Sequence, residues 1–167
     1  MDVRIVSGYL PGAIGRITEL HGTYYSRHWG FGLYFERWVA RGMADFLGRF
    51  DARHDGLWIA VDGERIVGGI AADGGETPAE GAHLHWFIVD DACRGRGVGR
   101  RLFETAEAFC RIRFHRAFLW TFAGLDPARR LYESYGFRLA REQDGDQWGI
   151  TVREQLFERT YGNPPPA

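Results

Sequence analysis

Long apolar runs, sulfur and a surplus of either charge are all scarce in this sequence. Two cysteines, Cys93 and Cys110, stand apart without metal-ligand spacing. That is too few for a disulfide scaffold, and a reducing cytoplasm is the expected setting. No apolar stretch approaches the roughly 20 residues that a membrane span needs. The opening Met1-Asp2-Val3-Arg4-Ile5 lacks the basic start, apolar middle and small-residue cleavage site of a secretory leader. With 21 Lys+Arg against 22 Asp+Glu, the net charge of -1 provides no broad basic face. The partners expected on these grounds are therefore neither nucleic acid nor membrane. There is no internal repeat and no linker-like stretch, so 167 residues read as one domain over 1–160 with a frayed tail at 161–167.

Aromatic residues are plentiful, 15% of the chain, and crowd its first third: Tyr24, Tyr25, Trp29, Phe31, Tyr34, Phe35 and Trp38. This exceeds what one helix face needs for packing. The cluster is either a second small core or the lining of a pocket for an apolar or amphipathic ligand, with Tyr24, His28, Trp29, Tyr34 and Phe35 as the candidate contacts.

Hydrophobic spacing orders the rest. Val3 to Val6 reads as a strand, Gly12 to Ser26 and Tyr34 to Phe50 as helices. Leu57 to Val61 and Arg65 to Ala71 flank Asp62-Gly63-Glu64 as a hairpin. Asp73 to Gly81 is a loop and Ala82 to Val89 a strand. A helix follows from Val98 to about Arg113, then a strand over Ala117 to Thr121. Asp126, as N-cap, and Pro127 open a short helix that ends before Gly136. Phe137 to Arg141 and Trp148 to Phe157 close the chain as strands. The order is β-α-α-β-β-β-α-β-α-β-β, an α/β (α+β) domain with antiparallel pairs early and one βαβ unit.

The most informative stretch is Arg94-Gly95-Arg96-Gly97-Val98-Gly99, between the apolar His85-Trp86-Phe87-Ile88-Val89 and an amphipathic helix. Alternate glycines strip one side of the turn of Cβ atoms, so backbone N–H groups can close on a bulky anion, and the helix directs its positive dipole end to the same place. The stretch is neither G-x-G-x-x-G, because Arg100 follows, nor a P-loop, because no Gly-Lys-Ser/Thr is present.

Arg94-x-x-Gly97-x-Gly99 after the fourth strand, with Ala128-Arg129-Arg130-Leu131-Tyr132-Glu133-Ser134-Tyr135-Gly136-Phe137 downstream, resembles the GNAT superfamily of N-acetyltransferases over essentially the whole chain. The segment from Tyr24 to Phe50, with Tyr25, Trp29-Gly30-Phe31 and Phe35-Glu36, further resembles GNAT domains often fused to MarR-type regulators; no winged-helix segment precedes it. The resemblance implies a mixed central sheet of about seven strands, flanked by about four helices and splayed between its fourth and fifth strands. It implies acetyl-coenzyme A as donor and direct transfer to an amine in a ternary complex.

On that resemblance, backbone N–H groups from Arg96 to Arg100 would hold the pyrophosphate, and the strand edge at Phe87, Ile88 and Val89 would pair with the pantetheine arm. The side chains of Arg94, Arg96, Arg100 or Arg101 would reach phosphates, or be solvated charges at a helix start. Leu125 stands where many relatives carry Asn, so that contact is lost or supplied by Asp126, with Ala128 and Arg129 beside it. Tyr132 sits at the general-acid position, its bland alternative being a core tyrosine. The N–H of Val89 would polarise the thioester carbonyl. His83 occupies the position at which some relatives carry a glutamate base, and His85 shares its strand face. The pair is a base or acceptor contact, a hydrogen-bonded strand pair, or a metal site without an evident third ligand; no metal is expected. His28 and Glu36 are reserve bases. The acceptor is a small amine or amino acid, with protein N-acetylation and a non-catalytic acyl-CoA sensor as alternatives. A homodimer is expected only by analogy.

Overall fold

A computed structural model of the chain describes residues 2–75 and 78–162. The strands are β1 (Val3–Ser7), β2 (Gly56–Asp62), β3 (Arg65–Asp73), β4 (Ala82–Val89), β5 (Arg116–Phe122), β6 (Arg138–Gly145) and β7 (Val152–Thr160). The helices are α1 (Ala13–Trp29), α2 (Leu33–Gly48), α3 (Val98–Arg113) and α4 (Asp126–Ser134). The seven strands form one sheet in the order β1-β2-β3-β4-β5-β7-β6. All pairs are antiparallel except β4 with β5.

Each face of the sheet carries its own core. Leu102, Phe103, Ala106 and Cys110 of α3 pack with Val67, Ala82, Leu84 and Leu119 on one face, joined there by Tyr132 of α4. Ile17 and Leu20 of α1, with Phe35, Val39, Met43 and Phe46 of α2, pack with Ile59, Ala71, Ile88 and Phe122 on the other. The one-in-three-or-four apolar spacing of these helices is what lets each bury a single stripe.

The site depends on two irregularities. β4 and β5 pair only at Ala82↔Ala117 and His83↔Phe118. Beyond these rungs the strands diverge, which is the splay that the resemblance implies. β4 also carries a bulge: Gly69 pairs with Ile88 but Ala71 with His85, so Trp86 and Phe87 oppose the single residue Ile70. Trp86 has φ 50, the only non-glycine positive value among the described residues. A bulge inserts one residue and reverses the facing of everything beyond it.

Element order agrees with the sequence reading throughout, and the differences are local. Asp126 is not the N-cap of α4. Leu125 holds that position without a side-chain cap, and Asp126 and Pro127 form the first turn. The close of α4 at Gly136 is as expected, with Gly136 N–H donating to Glu133 O (3.0 Å) and Phe137 N–H to Tyr132 O (3.1 Å). Trp148 lies in the β6–β7 loop rather than in the last strand, buried against Phe122 and Trp38. The expected Asp73–Gly81 loop includes residues 76 and 77, and the expected tail includes 163–167; these lie outside the described residues. Tyr161 is buried, with its N–H donating to His115 O at 2.7 Å.

Candidate active site

The splay opens the sheet to two cavities that meet. One is a groove of about 620 Å³ between the start of α3, the end of β4 and the start of α4. Its wall includes Phe87, Ile88 and Val89, then Arg94, Gly95, Gly97, Val98, Gly99 and Arg100, then Leu125 and Ala128. Thus most residues predicted for coenzyme binding stand on one surface. Arg96, Asp126 and Arg129 are not part of it; Arg129 is ion-paired with Glu133 (2.9 Å). Arg101 is turned the other way, donating to Val3 O at 2.8 Å, so the expectation that it could reach a phosphate does not hold. The wall also includes Arg130, which the sequence reading passed over.

The glycine turn is built for a large anion. Gly95 and Gly97 have φ 73 and 77, and a Cβ on either would meet nothing within 4 Å, so the turn borders open space. No side chain caps α3. Its first N–H groups, which have no partners within the helix, are left for a ligand at its positive end. Arg94 locks the turn to β4: its Nε donates to Val89 O (3.2 Å), pairs with Asp91 (3.0 Å), and its guanidinium lies 4.0 Å over the Tyr24 ring. A charged diphosphate with a long uncharged arm fits this arrangement of donors, cations and an unpaired strand edge.

The second cavity, about 110 Å³ and more enclosed, lies in the splay, walled from the α1/α2 side by His21, Phe35 and Trp38 and from the α3 side by Leu84, Phe103 and Leu119. His83 and His85 both open onto it, their rings 3.5 Å apart, with His83 stacked on Phe118 (4.5 Å) and His85 on Trp86 (4.6 Å). Their shared strand face is therefore as expected. Burial drives both below the ordinary histidine value. For His83 the neighbouring His85 adds to the shift; for His85, lowered to about 3, Arg49 does. Both imidazoles are neutral at physiological pH.

A third histidine here escaped the sequence reading. His21 of α1 is 6% exposed, and its Nδ1 lies 2.8 Å from Ile17 O. A carbonyl can only accept, so Nδ1 carries the proton and Nε2 presents a lone pair. Burial lowers its pKa to about 4. Its helical spacing marked it as core, and only tertiary structure places it on the cavity wall. Trp38, Trp120 and Trp148 line the same cavity and were likewise missed as contacts.

Of the aromatic contacts predicted from the first third, Phe35 lines this cavity, while Tyr24 and Trp29 line the larger groove. His28 packs on Tyr24 with the rings tilted, centroids 4.6 Å apart, and is on neither wall. Tyr34 is 56% exposed and covers Gly149. Glu36 faces a separate groove between α1 and α2, beside Gly22. The cluster therefore divides between packing and lining.

Tyr25, Phe87, Leu125 and Tyr132 border both cavities. Tyr132 is 7% exposed, its ring packed on Phe103 (5.2 Å) and Phe157 (6.1 Å). Burial, and secondarily Tyr25, pushes its phenol well above the ordinary tyrosine value, so it holds its proton.

The model of the acetyltransferase (GNAT) family matches residues 16–137, a span that includes most of α1, the glycine turn and α4. The chain belongs to the GNAT acetyltransferase family. It is thus an enzyme of a family that uses acetyl-CoA as donor, and the groove fits that molecule. Its fold is that of YncA from Salmonella typhimurium, solved with its cofactor acetyl-CoA (TM-score 0.74, 14% identity, covering 98% of each chain). A GNAT-family acetyltransferase from Staphylococcus aureus is similar (TM-score 0.73, 16% identity, 96% of this chain and 100% of that one). So is NAA60 from Arabidopsis thaliana, in complex with a bisubstrate analogue (TM-score 0.67, 17% identity, 95% and 98%). No curated protein sequence matches the chain significantly. Among the described residues no cluster of His, Cys, Asp and Glu could hold a metal, and no helix is long and apolar enough to cross a membrane.

Proposed function

We propose that this enzyme moves the acetyl group of acetyl-CoA directly to the primary amine of a small molecule or amino acid, both substrates being bound at once. The observation that carries the reading is the position of Tyr132 on the walls of both cavities. A donor in the groove and an acceptor in the aromatic cavity would react beside its hydroxyl. The turn from Arg94 to Arg100 holds the diphosphate through backbone N–H groups, with Arg94, Arg100 and Arg130 supplying charge. The unpaired edge of β4 at Phe87 to Val89 takes the uncharged arm, and the Val89 N–H polarises the thioester carbonyl. Leu125 and Ala128 contribute apolar wall.

Tyr132 protonates the departing thiolate. Its proton is held firmly, and the same dry surroundings raise the basicity of the thiolate, keeping the two matched. His83 and His85 contact the amine as neutral imidazoles. Their lowered pKa values make them weak bases, so the acceptor must shed its ammonium proton before or during entry. The burial of both cysteines, Cys93 and Cys110, agrees with a reducing cytoplasm. A homodimer through β6 would cover a free sheet edge on which Leu139 is exposed. The finer likeness to MarR-fused domains rests on the sequence of Tyr24 to Phe50, most of whose aromatic residues pack around the two cavities.

Coenzyme A release from acetyl-CoA over an amine panel tests the reading. The chain has no lysine, so acetylation of its own lysine side chains adds no background. Acetyl-CoA binding without release on any amine would refute it in favour of an acyl-CoA sensor.

A further inference from the structure

The chemistry of the acceptor can be narrowed from the composition of the enclosed cavity. Among the described residues that line it there is no Asp, Glu, Lys or Arg. A substrate carboxylate would enter without a guanidinium or ammonium to receive it. A second amine would enter without a carboxylate. An unpaired buried charge is strongly disfavoured, because the low-dielectric wall returns little of the lost hydration. Three imidazoles, His21, His83 and His85, are themselves held neutral by that wall, which reports how poorly it tolerates charge. Arg49 and Arg116, the cations that act on His85 and His83, are not among the lining residues, and Arg49 pairs with Asp73 while Arg116 pairs with Glu158.

What the wall does offer is apolar surface and uncharged polar groups, among them Thr121, Gln147 and the unpartnered Trp86 Nε1–H. Trp38, Trp86, Trp120 and Trp148 surround the space, with Phe35 and Phe122 between them. Such rings suit an alkyl or aryl tail. His21 Nε2, whose tautomer is set by the Ile17 carbonyl, is an acceptor for an uncharged N–H. At about 110 Å³ the enclosed part is smaller than the ~150 Å³ cavity that takes up benzene. One ring or a short branched chain fills it.

Resting on the acetyltransferase reading above, we infer that the acceptor is a small apolar monoamine, bearing neither a carboxylate nor a second amine. Its tail sits among the four tryptophans, and its nitrogen lies where the cavity meets the groove at Tyr132. This excludes free amino acids from the acceptors considered so far, and diamines from the small amines.

Matched pairs test it. Coenzyme A release is measured for 3-methylbutylamine against leucine, phenethylamine against phenylalanine, and 3-methylbutylamine against cadaverine, with acetyl-CoA affinity determined by calorimetry. The expected result is a kcat/KM at least 100-fold higher for each apolar monoamine than for its charged counterpart. Leucine, phenylalanine or cadaverine turning over as well as the apolar amines would overturn this inference while leaving the acetyltransferase reading intact. No turnover of either apolar amine would also overturn this inference, whereas the acetyltransferase reading falls only if acetyl-CoA binds and no amine of the wider panel is turned over.

Discussion

Replacing Tyr132 with Phe separates catalysis from architecture at this site. The ring makes the packing contacts, at 5.2 Å from Phe103 and 6.1 Å from Phe157, and Tyr132→Phe keeps them. The hydroxyl accepts or donates no hydrogen bond among the described residues, so its loss leaves no partner orphaned. Unfolding free energy should therefore change by no more than about 0.5 kcal/mol. A positioned general acid contributes ~10²–10⁴-fold, so kcat should fall by that factor, equivalent to about 3–5 kcal/mol of transition-state stabilisation. The acetyl-CoA dissociation constant should stay within about twofold, because the turn proposed to bind the diphosphate is untouched. Steady-state coenzyme A release at saturating substrate, thermal melting and calorimetry give the three numbers. In the wild type the raised phenol pKa means that no alkaline fall in kcat from loss of the acid should appear below pH 10. A Tyr132→Phe enzyme with kcat within threefold of wild type would refute the acid assignment. So would a loss confined to acetyl-CoA affinity.

Three other perturbations probe separate parts of the structure. Gly81 has φ 96, and a Cβ there would lie 2.2 Å from Arg116 O, beside the short β4–β5 pairing; Gly81→Ala should lower stability by roughly 2–5 kcal/mol in urea melts, and an unchanged midpoint would contradict the geometry. At Gly97 a side chain meets only open groove. Gly97→Trp should therefore cost only about 1–2 kcal/mol of stability for the left-handed backbone but weaken acetyl-CoA binding by more than about tenfold, and an unaltered affinity would remove the phosphate site from this turn. The buried histidines predict the pH response. The folded pKa of His21, about 4, lies below the unfolded 6.5, so the unfolded chain takes up the proton first. Stability contributed by neutral His21 is complete above pH 6.5 and is lost as pH falls towards 4, by about 3 kcal/mol in all, with His83 and His85 adding losses of the same sign. His21→Gln should flatten this slope between pH 6.5 and 4.5, and equal slopes in the two proteins would rule out a buried neutral imidazole.

How much of this was legible in the sequence follows from what each signal measures. Periodicity reports which face of an element is apolar, and it located all seven strands and four helices. The glycine-arginine turn was legible because it is local: backbone freedom, charge and a helix start lie within six residues. The shared face of His83 and His85 was legible for the same reason, since a two-residue offset along a strand has one outcome. The enclosed cavity was not, because its walls come from all four helices, from β3, β4 and β5 and from the β6–β7 loop, brought together only by folding. His21 and Trp38 lie on apolar helix stripes, and nothing local distinguishes a stripe residue facing a cavity from one facing core. Trp148 was misplaced into a strand because β-propensity favours tryptophan, whereas Gly149, with φ 85, ends the extended run.

The bulge in β4 is the hidden step on which the site turns. Ahead of it, Ala82 and Leu84 face α3, and His83 and His85 face the α1/α2 side. Strict alternation would then put Phe87 and Val89 with the histidines and Ile88 with α3. Instead Phe87 packs on Phe103 and Tyr132, Val89 joins the α3 core, and Ile88 joins the α1/α2 core. One extra residue thus lets a single strand present two histidines to the enclosed cavity and, two residues after the second, a phenylalanine to the wall of the larger groove. No glycine or proline marks the place. The conformation rests on Trp86, a bulky residue held at φ 50 by its packing against Phe46 and His85. Such strain persists only where the surroundings over-determine it. The packing of α2 against β4 therefore helps to set the histidines on the enclosed cavity and Phe87 on the wall that the two cavities share.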